Sequence, residues 1–121
     1  MNPLILFLLL PFTISGQIRM GYHVQEIRDE LGDSFIVHKD TMTYLHTITP
    51  AADTYHFLTK DSICYGGILF PFTLMGMERY RDWFTDNLIM QDPMNWTGLM
   101  GGRVVHINLV ITGDEFYFLY K

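Results

Sequence analysis

Strict alternation over "RVVHINLVI" is the feature that most narrows what this chain can become. Val105, Ile107, Leu109 and Ile111 fall on one face, and Val104, His106, Asn108 and Val110 on the other. A period of two places such residues on opposite sides of a pleated strand. The run leads through Thr112-Gly113-Asp114, which supplies hairpin turn chemistry, into "FYFLYK". Two strands alone are marginal in water, so this hairpin needs more strands beside it.

Those strands precede it. "SFIVHK" and "TMTYLHTI" alternate around a turn at Asp40-Thr41, and "TYHFLT" and "SICYGGILF" flank Lys60-Asp61 as a second hairpin. Pro50 in "TPAAD" separates the two pairs. Gly66-Gly67 predicts a bulge or a close backbone approach, and Pro71 ends that strand.

Helical periodicity occurs twice. In "MGYHVQEIRDELGD", Met20, Val24, Ile27 and Leu31 form one stripe, with Gly32 as the stop. In "TLMGMERYRDWFTDNL" the stripe is Leu74, Met77, Tyr80 or Arg81, Phe84 and Leu88, with Thr73 as N-cap. "QDPMNWTGLMGG" reads as a loop. The predicted order is α-β-β-β-β-α-β-β. It describes an α+β two-layer sandwich with two helices on one face of an antiparallel sheet and the other face partly solvated.

The first seventeen residues carry no charged side chain. The apolar run from Pro3 to Ile14 spans about 18 Å as a helix, against a bilayer core of about 30 Å. Its length fits the apolar region of a secretory signal, and Thr13, Ser15 and Gly16 provide small residues for cleavage. Residues 1–16 are therefore expected to be a signal peptide, with residues 17–121 a single domain and the product periplasmic or extracellular. Cleavage after Ser15 is the neighbouring alternative. The n-region lacks Lys and Arg, so an uncleaved anchor and a buried strand stay open beside it.

Net charge is −5. An acidic chain without a Lys/Arg cluster argues against nucleic-acid binding, which depends on neutralising phosphates. A lone cysteine, Cys64 in an apolar run, forms no internal disulfide and reads as a small buried hydrophobe.

The element order, with a helix closing on Glu30-Leu31-Gly32 before the strands, resembles the small envelope domains of the SmpA/OmlA and beta-lactamase-inhibitor-protein type. The resemblance implies an assembly factor or protein-binding inhibitor rather than an enzyme. The cysteine that lipid-anchored members carry at the cleavage site is missing here.

Catalytic patterns are sparse. Of five histidines, His38, His56 and His106 could share the open sheet face by parity, the arrangement a small metal-dependent or hydrolytic enzyme would need. No HxH, HExxH or CxxC spacing accompanies them. Asp82 with Asp86 and Asp114 with Glu115 read as solvated carboxylates, and no GxSxG occurs. No metal, cofactor or catalytic residue is expected. Asn95-Trp96-Thr97 is a glycosylation sequon.

Met94, Trp96, Leu99 and Met100 make the "DPMNWTGLMGG" loop the candidate partner surface, unless the loop folds over the sheet edge. Should the fold bury Trp96, the open sheet face remains. The expectation is an exported, non-enzymatic accessory domain that binds a protein, with no membrane span after cleavage. The alternatives are the small enzyme above and a membrane-tethered accessory subunit.

Overall fold

A computed structural model describes residues 18–47, 52–100 and 102–121, with His46 and Thr47 described as backbone alone. The expected signal segment 1–16 and the Pro50 break lie outside the described residues.

Helix α1 (Val24–Leu31) is followed by β1 (Ile36–His38), β2 (Thr41–Thr47), β3 (Ala52–Leu58) and β4 (Cys64–Pro71). Helix α2 (Leu74–Asn87) leads to β5 (Ile89–Asp92), β6 (Asn95–Met100), β7 (Arg103–Thr112) and β8 (Glu115–Tyr120). All eight strands join one sheet in the order β1-β2-β3-β4-β8-β7-β6-β5, and every neighbouring pair is antiparallel.

This corrects the fold class. Among the described residues 53% lie in strands and 23% in helices, so the fold is sheet-dominated and not the two-layer α+β sandwich expected. Two local readings caused the error. "QDPMNWTGLMGG" forms β5, β6 and the turn between them, because Asp92-Pro93-Met94-Asn95 makes a tight hairpin whose ends, Asp92 and Asn95, pair. Proline suits the second position of such a turn, and Asp the first. The first helix is also only eight residues long, too short to roof half the sheet.

Local chemistry accounts for the element ends. His23 caps α1: its side chain accepts from Gln25 N–H, and Glu26 reaches back to the His23 N–H. Gly32 follows α1 at φ 91. Thr73 caps α2 by accepting from Gly76 N–H at 3.0 Å. Gly113, at φ 61, takes the first central position of the β7–β8 turn, where a type II′ hairpin favours glycine. The β1–β2 turn falls on Lys39-Asp40, one residue earlier than expected.

The expectation for Gly66-Gly67 holds in both forms. The β3–β4 register shifts between Phe57 and Leu58, and a Cβ on Gly67 would come 2.5 Å from the Tyr120 hydroxyl. Glycine there lets the Tyr120 phenol lie flat on the neighbouring strand.

Both helices pack on the same sheet face. Tyr44, Thr54, Leu69, Phe118 and Leu109 are successive partners across five strands and all are buried. Met77, Tyr80 and Phe84 of α2 close over Leu69, Phe118, Val105, Ile107 and Trp96. Ile27 of α1 packs with Met42, Tyr44 and Cys64. Leu74, expected in the α2 stripe, is instead exposed.

Candidate functional site: the open face of the sheet

Trp96 is 1% exposed and packs against the rings of Phe84 and Phe118, while its Nε1–H donates to Thr85 Oγ1 at 3.1 Å. Met94 and Met100 are half-buried against the same cluster. Leu99 points the other way and is exposed. The four residues singled out from the sequence thus divide between the two sheet faces. Gly98 belongs to this packing, since a Cβ there would collide with Leu88.

The histidines separate as well. His56 is fully buried on the helix-covered face, His38 is exposed on edge strand β1, and His106 is exposed on β7. The parity argument misplaced His56 because both faces of β3 carry rings. Tyr55 and Phe57 mark the open side, not the covered one. Among the described residues no group of three or more His, Cys, Asp or Glu is placed to hold a metal.

Between the two apolar clusters of the covered face runs a polar seam. His56 Nε2 lies 3.2 Å from Thr54 Oγ1, and Nδ1 lies 3.5 Å from the Tyr120 hydroxyl. Burial, with the Arg19 charge adding to it, lowers the His56 pKa to about 3, so the ring is neutral. Arg19 is itself buried and donates from Nη2 to Glu30 Oε2 at 2.9 Å. Burial pushes the Tyr80 and Tyr120 phenols up, and likewise the Cys64 thiol, whose Sγ donates to the Gly66 carbonyl at 3.2 Å. A thiol held protonated and buried is a poor nucleophile.

The opposite face is covered by no described helix. Its central row runs Thr43, Tyr55, Ile68, Leu119, Asn108 and Asn95 across six strands. An aromatic ladder crosses it: Tyr55 and Phe70 centroids lie 5.5 Å apart, Phe70 and Tyr117 5.0 Å apart. Such rings gain about 0.5–1.5 kcal/mol per pair beyond their buried area. Phe57 and Tyr65 form a further pair at 6.1 Å, with Tyr65 half exposed.

Beside the ladder the polar side chains satisfy one another. Asn108 Nδ2 donates to Asn95 Oδ1 at 2.8 Å, and Asn95 Nδ2 donates to Asp92 Oδ1 at 2.9 Å. Asp92 also accepts from Met94 N–H at 2.8 Å, and this bond, with those from Asn95, lowers its pKa. The amide of the Asn95 sequon is therefore engaged within the fold. Thr97 Oγ1 and His106 Nδ1 are 2.6 Å apart. The sequence points to the open face as the candidate that remains once Trp96 is buried, but not to the residues of β6 on it, although the alternation of Asn95, Thr97 and Leu99 against Trp96, Gly98 and Met100 signals them.

Among the described residues no helix is long and apolar enough to cross a membrane. Comparison with protein families, with curated proteins and with solved structures finds no match.

Proposed function

We propose that this chain is an exported, non-enzymatic accessory domain that binds protein through the open face of its sheet. The observation that carries the reading is the Tyr55–Phe70–Tyr117 ladder on a face that no described helix covers. Aromatic side chains dominate the energetics of protein interfaces, where they supply large area for few frozen torsions. Export is the part of the reading that rests on the uncharged opening residues.

The test is a photo-crosslinking residue at position 117, expressed in the source cells, with one at Glu78 on α2 as the helix-side control. A protein adduct from position 117 and none from position 78 is expected. Adducts from position 78 alone, or none from either, remove the open face from consideration. The N-terminal mass of the same material reports export, and recovery of the Leu4–Leu10 peptide from exported protein overturns cleavage.

A second reading has one observation in its favour. The 2.6 Å Thr97–His106 contact pairs a hydroxyl with an imidazole, the first two members of a nucleophile–base arrangement. Ester turnover abolished by Thr97→Val would promote a hydrolytic enzyme over a binding domain.

A further inference from the structure

The partner that the open face fits best is a basic one. We infer that this face receives an extended protein segment whose arginine side chains stack on the Tyr55–Phe70–Tyr117 ladder and pair with Asp53 and Glu115. This rests on the binding role proposed for that face and names the chemistry of its partner.

Charge separates the two sides of the molecule. On the helical side carboxylates have cations beside them: Arg28 pairs with Asp33 at 2.9 Å and Arg81 with Glu78 at 3.4 Å, and Arg79 stands on the same helix as Arg81. On the open face Asp53, Asp92 and Glu115 occupy strand positions, and no Lys or Arg does among the described residues. Asp92 is already engaged by Met94 and Asn95. The other two stand at the ladder. Asp53 is the direct partner of Phe70 in the β3–β4 register, and Glu115 lies two residues from Tyr117 on the same face of β8.

Those two carboxylates decide the occupant. An apolar surface laid over the rings would take the Asp53 and Glu115 charges out of water, which is costly unless the surface brings a cation to them. An acidic surface would add repulsion. A cation meets both features at once, because it is attracted by a carboxylate and by the face of an aromatic ring within about 6 Å. Arginine suits the geometry better than lysine: its planar guanidinium lies flat on a ring while its N–H edge forks onto a carboxylate. Residues directly opposite on antiparallel strands have Cβ atoms about 5 Å apart, so one guanidinium over Phe70 reaches Asp53.

Spacing sets the form of the segment. Phe70 and Tyr117 lie on adjacent strands with ring centroids 5.0 Å apart. Asp53 and Glu115 are two strands apart and offset by two residues along them, which separates them by about 12 Å at ~4.8 Å per strand and ~3.4 Å per residue. In an extended segment, residues four apart project to the same side at about 14 Å. Arginines at that spacing match the two carboxylates, whereas a single small cation covers only one of them.

Fluorescence anisotropy of the purified protein tests this with a labelled synthetic peptide of threonine and valine that carries two arginines four positions apart. Binding in the micromolar range that weakens with added salt is expected. Lysines in place of the arginines should weaken it, and glutamates should abolish it. Asp53→Asn and Glu115→Gln should each weaken it at least fivefold, and so should Phe70→Leu, which leaves every charge in place. Asp82→Asn, on α2, should leave it unchanged. Each variant's circular dichroism is recorded, and should Phe70→Leu unfold, Tyr117→Leu serves in its place. No binding at millimolar peptide, binding insensitive to Asp53→Asn and Glu115→Gln, or a lysine peptide that binds as tightly overturns the proposal. A position-117 crosslinker that captures a protein while the arginine peptide fails to bind overturns the basic partner and leaves the binding role standing. Failure of both the peptide and the crosslinker overturns both.

Discussion

At the scale of single residues, the largest energetic stakes lie on the covered face. Trp96 fills the space between Phe84 and Phe118 and satisfies its own N–H on Thr85. Trp96→Ala should therefore cost about 3–5 kcal/mol in denaturant unfolding, and a loss under about 0.5 kcal/mol would contradict its place in the core. His56 links stability to pH. In the unfolded chain it binds a proton below about 6.5, and in the folded chain only below about 3. Unfolding takes up that proton at any pH between these values. The contribution of His56 is thus complete above its unfolded pKa and is lost as pH falls toward 3, with a slope of up to ~1.4 kcal/mol per pH unit. Unfolding curves at pH 7 and pH 5 should show wild type losing more stability than His56→Gln over this interval. Equal losses would mean that the ring is protonated in the native state.

At the scale of elements, the caps and turns were the most readable part of the chain. Thr73 before α2, Gly32 after α1 and Gly113 in the last hairpin each act through chemistry confined to two or three neighbouring residues, which is why sequence alone locates them. Thr73→Ala should destabilise the protein by about 1 kcal/mol, read from the thermal midpoint, and Thr73→Ser should restore most of it. What local reasoning lost was the β5–β6 hairpin. Proline and glycine read locally as loop markers, whereas Pro93 shapes a tight turn and Gly98 clears room for Leu88. Gly98 is explained only by a residue ten positions away, and no local pattern announces such a contact. The same holds for the site. Which side of β3 is buried depends on where α1 and α2 land, and both sides of that strand carry rings, so parity alone could not choose. Alternation did show that one face would be open, but not that an aromatic ladder from three different strands would assemble on it.

At the scale of the whole molecule, stability should rise from the edges inward. β1 and β5 are the sheet's edges, three and four residues long, and every residue in them is exposed. Short edge strands limit edge-to-edge pairing, and they open most readily. Amide exchange should be fastest in β1 and β5 and slowest in β4, β7 and β8, where only global unfolding exposes the backbone. Uniform protection across all eight strands would refute this gradient. The central place of β8 has a consequence for synthesis. It is the last strand in chain order, yet it lies between β4 and β7, and the first four strands meet the last four only where β4 pairs with it. Until Glu115–Tyr120 emerges from the ribosome, the sheet exists as two unjoined halves and α2 has no Phe118 beneath it. Chains stalled before Glu115 should be cut by protease as readily as unfolded polypeptide, while chains released past Tyr120 should resist, and protection before that point would show that the halves fold alone. The strand that joins the two halves follows both of them in chain order, so the export proposed above would meet two unjoined half-sheets until Tyr120 is made.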